Sequence, residues 1–576
     1  MPVTLVSKIK TLFSKSVAPW VGVGAGLAAW GAVLIGWMNV YSPMEIRRQL
    51  IPLCPIFLWI GVACLAYALC LNFAPLWKII RESGTRRQWL TAAVICLLAF
   101  LLVHDVAPRT HRLFYDEDIY EAIALNMAKN NQAAMSNDGR WDYGHFQGKI
   151  LEFNKQPNAW PFVMSLAYRI FGISEKVGFN LSNVLFAVAV MCVFLVGGWL
   201  FESPWAGLFA AYMYACIPNN VRWFSSMDGD PPTACFTVLA VLLTLFFFRS
   251  RTKAALFLCV SAWVFAAQFR FEVLLLGLLV FAMFYVEGWD ELKTPRVYAF
   301  LLLFFVLLSA HLLQLYAVRD ESWGARGNKL SLDYFFQNLK TNTVYYFNRK
   351  EFPLPFSLLA VAGLGWPGQW KVKLYTALWF LLSWAIFLFF YAGGYQFGVD
   401  VRFSIMSMAP LALLAGRGAD RLVSAGRRWF RAAYVPLAMG MVLIAELLFY
   451  LPSMRAVGRE TWQCRDDHRA AEYFASLVPD DGIVMTHNPN MFQIFGKNAA
   501  QMSLFTEHSD YALHVIKPQF QDKIYLHWNY WCNTQDPVQV RFCTNMIDSY
   551  ETQLVAERVV GGARYALYRV LGDRIR

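Results

Sequence analysis

Apolar stretches close to twenty residues long recur through this chain, a pattern for which a soluble fold has no use. A hydrocarbon layer roughly 30 Å thick takes about 20 apolar residues of helix to cross. Such runs fall near 20–38, 51–72, 90–107, 177–200, 204–222, 232–248, 254–269, 272–287, 298–317, 354–366, 374–391, 402–416 and 433–451. They predict a polytopic α-helical membrane protein of about 13 transmembrane helices, with the runs at 272–287 and 354–366 short for a full crossing. Composition agrees: charged residues make up 16% and hydrophobic ones 57% of the chain, where about 25% charged is usual in a soluble domain. A cytosolic enzyme, a fibrous protein and a disordered chain are excluded.

The net charge of +12 would suggest an acidic partner in a soluble protein. Here no basic run is interleaved with stacking aromatics, so no nucleic acid is expected. Membrane proteins collect Lys and Arg in cytoplasmic loops. Placing the N-terminus in the cytoplasm puts Lys78, Arg81, Arg86 and Arg87 inside, with Arg249, Arg251 and Lys253. Lys371, Lys373, Arg417, Arg421, Arg427, Arg428 and Arg431 fall on that same side. After Lys8, Lys10 and Lys15 the apolar run is too long for a cleavable leader. An odd number of spans puts the C-terminus on the far face, and the compact loops suit a bacterial inner membrane with a periplasmic tail.

Three segments then lie outside: a first loop at 108–176, a second at 318–353 and the tail after Pro452. The domains expected are an N-terminal transmembrane hairpin region (1–89), a catalytic transmembrane domain (90–452) and an extracytoplasmic C-terminal domain (453–576). The tail alternates helix-like residues (His468 to Leu477) with strand-like ones (Gly482 to Thr486, Arg564 to Val570), which reads as a small α/β domain. Eight of the 11 cysteines sit in spans. Of the three in the tail, Cys532 and Cys543 are nearest in sequence and Cys464 is left over. His487, His508, His514 and His527 show no zinc-like spacing.

Ionisable residues within a membrane are costly, so their placement is informative. They gather at the external ends of spans: His104-Asp105, Asp116-Glu117-Asp118, Asp228-Gly229-Asp230, Arg270-Phe271-Glu272 and Asp400-Val401-Arg402. Each taken singly is accounted for by a helix cap or a snorkelling side chain. Together on one face they point to a site. Residues 119–129 carry apolar positions at helical spacing and predict a short surface helix. Lys155 opens a second helix, ending at Phe171-Gly172, that suits the membrane interface. His311 and Glu446, alone inside spans, read as interhelical hydrogen-bonding groups.

The stretch "FYDEDIYEAIALNMAK" (114–129), then "KQPNAWPFVMSLAYRIFG", "SSMDGDPP" and "VRFSIMSMAP", resembles the GT-C superfamily of integral membrane glycosyltransferases. The branch is that of the protein O-mannosyltransferases and the lipid A aminoarabinose transferase. The resemblance covers roughly residues 90–420. Gln156 stands where that family usually has a proline, and two spans precede the family's first.

The resemblance implies a GT-C fold, a polyprenyl-phosphate sugar donor, and a lipid, glycan or protein acceptor. It makes Asp116 the general base of an inverting transfer, with Glu117 orienting it. Asp118, pointing away on the helix, is expected to be solvated. Lys155, Arg270 and Arg402 are candidates for the donor's phosphate, since Lys offers a point charge and Arg a fork. Asp228 and Asp230 suit sugar hydroxyls or a divalent metal ion, and Glu272 is expected to pair with Arg270. The rival readings are a transporter or lipid flippase, for which no internal repeat is found, and a GT-C ligase or polymerase acting on polyprenyl-diphosphate glycans.

Overall fold

The computed structural model describes residues 18–142, 145–147, 150–322, 325, 327–395, 401–428, 434–503, 519–520 and 523–574. Lys8, Lys10, Lys15, Asp400, Arg431, His508 and His514 lie outside the described residues. The chain folds as two compact units. The first comprises Met1–Ala107, Asn183–Phe224 and Asp230–Arg455; the second comprises Pro108–Ser182, Ser225–Gly229 and Ala456–Arg576.

The first unit is helical. In chain order it contains α1 (Ala18–Val40), α2 (Pro43–Glu82) and α3 (Arg86–Leu101), the last continued by a π-type turn over Leu102–Val106. The second unit opens with α4 (Asp116–Asn130), α5 (Ala159–Phe171) and the start of α6 (Glu175–Phe201). The first resumes along α6, then α7 (Pro204–Cys216), α8 (Pro218–Phe224), α9 (Asp230–Ser250), α10 (Lys253–Ala267) and α11 (Gly277–Glu287). It ends with α12 (Pro295–Leu307), α13 (Ser309–Ala317), α14 (Phe335–Phe347), α15 (Leu354–Gly365), α16 (Trp370–Ala385), α17 (Ile405–Gly426) and α18 (Tyr434–Arg455).

Among the described residues each apolar run read from the sequence falls mainly on helix, the run at 374–391 leaving it after Leu388. Among the described residues seven helices are long and apolar enough to cross a bilayer singly, and eight if the bent pair α12–α13 counts as one span. The chain is a multi-pass membrane protein. Local sequence sets where helices begin and break. Ser42 and Glu45 close a reciprocal capping box at the start of α2. The run at 204–222 is two helices, because Pro218 forces Ile217 into extended backbone (ψ 118). The α12–α13 pair bends by 50°.

Arg417, read from sequence as a loop charge, is buried within α17. It donates to the carbonyl oxygens of Gly363 and Gly368 and to Gln369 Oε1, closing the end of α15. Glu446 is likewise partnered, accepting from Arg349 at 2.9 Å. His311 stacks on Phe271 with ring centroids 4.6 Å apart.

The second unit joins the first loop to the tail. Two short antiparallel pairs, β1 (Met135–Asn137) with β4 (Ile150–Glu152) and β2 (Arg140–Asp142) with β3 (His145–Gln147), lie between α4 and α5. The tail adds α19 (Arg459–Ala475), β5 (Ile483–Thr486), β6 (Asn498–Gln501), β7 (Ile524–Trp528), α20 (Pro537–Ser549), β8 (Tyr550–Val560) and β9 (Ala563–Asp573). Its five strands run in the order β6-β5-β7-β9-β8, with β5 parallel to both neighbours and β9 antiparallel to both of its own.

Side chains alternate across this sheet as a two-residue period requires. Ile483, Met485, Ile524 and Leu526 face one core, with Cys532 and Cys543. Val484, Tyr525 and Leu567 face the other, against Ala471 and Phe474 of α19. The expected pair Cys532–Cys543 is a disulfide and Cys464 is free. The helix expected on the surface near 119–129 is instead interior: Glu117, Asp118 and every residue from Tyr120 to Met127 of α4 are buried. α5 ends on exposed Ile170 and Phe171, 73% and 74% accessible.

Candidate active site

The acidic run falls where α4 begins. Tyr115, the residue before it, is in the left-handed region at φ 72, uncommon for a bulky side chain. Its neighbours hold it there: Phe114 stacks on Tyr530 at 4.4 Å between centroids, and Tyr115 meets Trp531 at 5.8 Å. This sharp entry makes Asp116 the first helical residue, where unpaired N–H groups and the helix dipole favour a carboxylate.

Asp116 is only half-buried, so a substrate can reach it. Its Oδ1 accepts from Gln156 Nε2 at 3.2 Å, and Gln156 Oε1 accepts from the Tyr120 hydroxyl at 3.1 Å. Gln156 thus hydrogen-bonds the carboxylate, a contact not visible when it stood only as a missing proline. Lys155, its neighbour in the chain, is half-buried.

Glu117 is fully buried, and its Oε1 accepts from the Arg112 backbone N–H at 3.2 Å. Burial pushes its carboxyl up to about 8; Asp228 adds to the rise, and His111 and Arg112 oppose it. Two adjacent acids therefore have different characters, one accessible and one buried. Asp118, expected in solvent, is only 4% exposed and faces His111 and His468. The loop 225–229 also packs in this unit. Trp160 Nε1 donates to the Met227 carbonyl at 2.7 Å, and a Cβ at Gly229 would come within 2.9 Å of the Tyr120 hydroxyl. Asp228 is fully buried beside Glu117.

The remaining predicted residues, Asp230, Arg270 and Arg402, belong to the first unit. Asp230 begins α9, fully buried, and accepts from Arg270 Nη1 at 2.7 Å. The same guanidinium forks onto Glu272, at 3.2 Å from Nε and 2.9 Å from Nη2, the pairing expected. Arg270 and Arg402 both lie against the Phe403 ring, 5.5 and 4.9 Å from its centroid. Further along the first unit, a cavity of about 320 Å³ opens among α14, α15, α16 and α17. Tyr346, Phe380, Trp384 and Leu411 are among its mostly apolar lining.

Residues 155–313 match the family model for dolichyl-phosphate-mannose-protein mannosyltransferases. No curated protein matches the chain. Among solved structures the chain is similar to ArnT from Cupriavidus metallidurans bound to undecaprenyl phosphate. The likeness has a TM-score of 0.53 at 12% identity, over 84% of this chain and 99% of that one. The apo form of the same protein gives 0.50 at 15% identity, over 84% and 97%. An Archaeoglobus fulgidus oligosaccharyltransferase tethered with an acceptor peptide gives 0.49 at 11%, over 84% and 74%. At 12% and 15% identity the ArnT likeness is one of fold alone.

Proposed function

We propose that this GT-C-fold chain is a membrane glycosyltransferase. It moves a sugar, hexose or pentose, from a polyprenyl-phosphate donor to an acceptor hydroxyl on the extracytoplasmic face, with inversion. The observation that carries the reading is Asp116: an accessible carboxylate at a helix N-terminus, aimed by Gln156 and flanked by buried Glu117. The mannosyltransferase family match over 155–313, and the undecaprenyl phosphate bound by a protein of the same fold, support the donor class.

Asp116, held by Gln156, receives the acceptor's proton as the acceptor oxygen bonds to C1 of the sugar. The bond from C1 to the phosphate oxygen breaks, and the polyprenyl phosphate leaves with the electron pair. Lys155, Arg270 and Arg402 are the cations this reading gives to the phosphate. Arg270 already spans Asp230 and Glu272, so Asp230 serves by setting that guanidinium. Asp228 is assigned to sugar hydroxyls. No step of the reading depends on a divalent ion. The apolar cavity of the first unit suits a polyprenyl chain.

The test is transfer by purified protein from a panel of labelled polyprenyl-phosphate sugars. Asp116→Asn keeps the shape and removes the base, so the rate should fall by about 10²–10⁴-fold with elution and thermal stability unchanged. Wild-type rates in that variant would sink the assignment.

A further inference from the structure

The second unit contains a cluster of ligating side chains that sugar transfer does not use. His111 precedes α4, Asp118 and Glu121 lie on α4, Glu175 opens α6 and His468 lies on α19. His111, Asp118, Glu121 and His468 are at most 5% exposed. His111 Nε2 is 3.2 Å from Glu121 Oε2, 3.7 Å from Glu175 Oε1 and 3.9 Å from Asp118 Oδ1. His468 Nδ1 is 3.2 Å from the same Asp118 oxygen, and its Nε2 contacts Glu175.

Hydrogen bonding alone accounts poorly for this arrangement. Asp118 Oδ1, Glu175 Oε1 and both His468 nitrogens are buried with no partner at hydrogen-bonding geometry. The two imidazoles stack face to face, centroids 4.0 Å apart and planes at 24°. A divalent cation among them would give these buried oxygen and nitrogen atoms a common partner.

The spacing and the surroundings suit one. Zinc holds N and O ligands at about 2.0–2.2 Å, so neighbouring donors in its tetrahedral shell lie about 3.3–3.6 Å apart; Asp118 Oδ1 is 3.2 Å from His468 Nδ1 and 3.9 Å from His111 Nε2. The ligand atoms of His111, Asp118 and His468 all lie within 4.8 Å of one another. Each carboxylate on α4 is steadied through its other oxygen. Asn488 Nδ2 donates to Asp118 Oδ2 at 2.8 Å, and the Tyr168 hydroxyl donates to Glu121 Oε1 at 3.2 Å. His468 turns its second nitrogen to Glu175, the outer carboxylate that ligating histidines commonly have. Two imidazoles select a zinc-class ion over calcium or magnesium, which take oxygen ligands. The other convergent group, His487 with Cys532 and Cys543, has its sulfurs in a disulfide.

We propose that His111, Asp118 and His468 bind a divalent transition-metal ion of the zinc class, with Glu121 beside His111 and Glu175 orienting His468. The ion fastens α19 of the tail to α4 and the segment before it. It is separate from any cation at Asp228 and Asp230, and it stands whether or not the chain transfers sugar.

The experiment is metal analysis of the full chain purified in detergent without chelators, and Co²⁺ absorption after exchange. Wild type should carry stoichiometric zinc or take up Co²⁺ with ligand-field bands. His468→Gln, eluting as wild type, should lose the metal; Glu175→Gln should weaken it by about 10–100-fold; and Asp228→Asn should retain it. A wild type that takes up neither ion overturns the proposal. So does metal retained by His468→Gln, or lost only in Asp228→Asn. Should His468→Gln aggregate, X-ray absorption of the wild-type metal decides: imidazole scattering supports the site, and its absence overturns it.

Discussion

At the scale of single residues, the candidate site turns on which groups aim and which react. Gln156 bonds both Asp116 and Tyr120 but has no proton chemistry of its own. Gln156→Ala should therefore leave donor KM near wild type and lower kcat, because an aiming interaction counts most in the transition state. A hydrogen bond to a charged group contributes about 1.5–3 kcal/mol, which corresponds to roughly 10–100-fold in rate. Steady-state kinetics with the donor varied checks it; a raised KM with unchanged kcat would make Gln156 a binding residue instead. Asp116 was legible because an acidic run beside a span is rare and costly. The partner was not, since a glutamine in a loop carries no signal until the fold brings it to a carboxylate. Asp118 misled for a related reason: helical spacing turns it away from Asp116, but only the tail supplies His468 and Asn488 to receive it. Chain separation hid that cluster, and no local pattern would have revealed it.

At the scale of elements, the spans were legible because length and apolarity alone decide whether a helix can cross a bilayer. Their breaks needed more. Pro218 could have been read as the end of a helix, while the 50° bend between α12 and α13 has no proline at its break to mark it. The crossing of α15 and α17 likewise needed the fold. A Cβ on Gly363 would collide with the Leu414 carbonyl oxygen, and one on Gly418 with that of Leu359. Small residues let backbones approach this closely within a membrane. Gly363→Leu should destabilise the protein by about 1–3 kcal/mol through overpacking, lowering its melting temperature in detergent. Gly365→Ala, on the same helix with nothing within 4 Å, is the matched control and should be neutral. Equal melting temperatures for the two variants would mean that the crossing adjusts freely.

At the scale of the whole molecule, orientation is the property that charge and cysteine chemistry constrain together. The basic residues at 78–87, 249–253, 371–373 and 421–428 lie on one side only if the number of crossings is odd. Arg417 drops out of that argument because it is buried against α15, and Arg249 partly so, since it also donates to the Trp199 carbonyl at 3.1 Å. Among the described residues, seven helices long enough to cross singly give an odd count, but an eighth from the bent pair gives an even one, so length alone leaves the parity open. The tail supplies independent weight. Cys532 and Cys543 are disulfide-bonded within its core, and such bonds persist in oxidising compartments, not in the cytosol. We propose on both arguments that the tail lies outside, and on the charge argument that the N-terminus lies inside. A phosphatase reporter that folds only outside the cytoplasm, fused after the last residue, should be active, and a cytosol-dependent fluorescent reporter at the same position should be dark. The reverse result would require an even number of crossings and a reduced Cys532–Cys543 pair, and it would move Asp116 to the face from which an extracytoplasmic donor is absent.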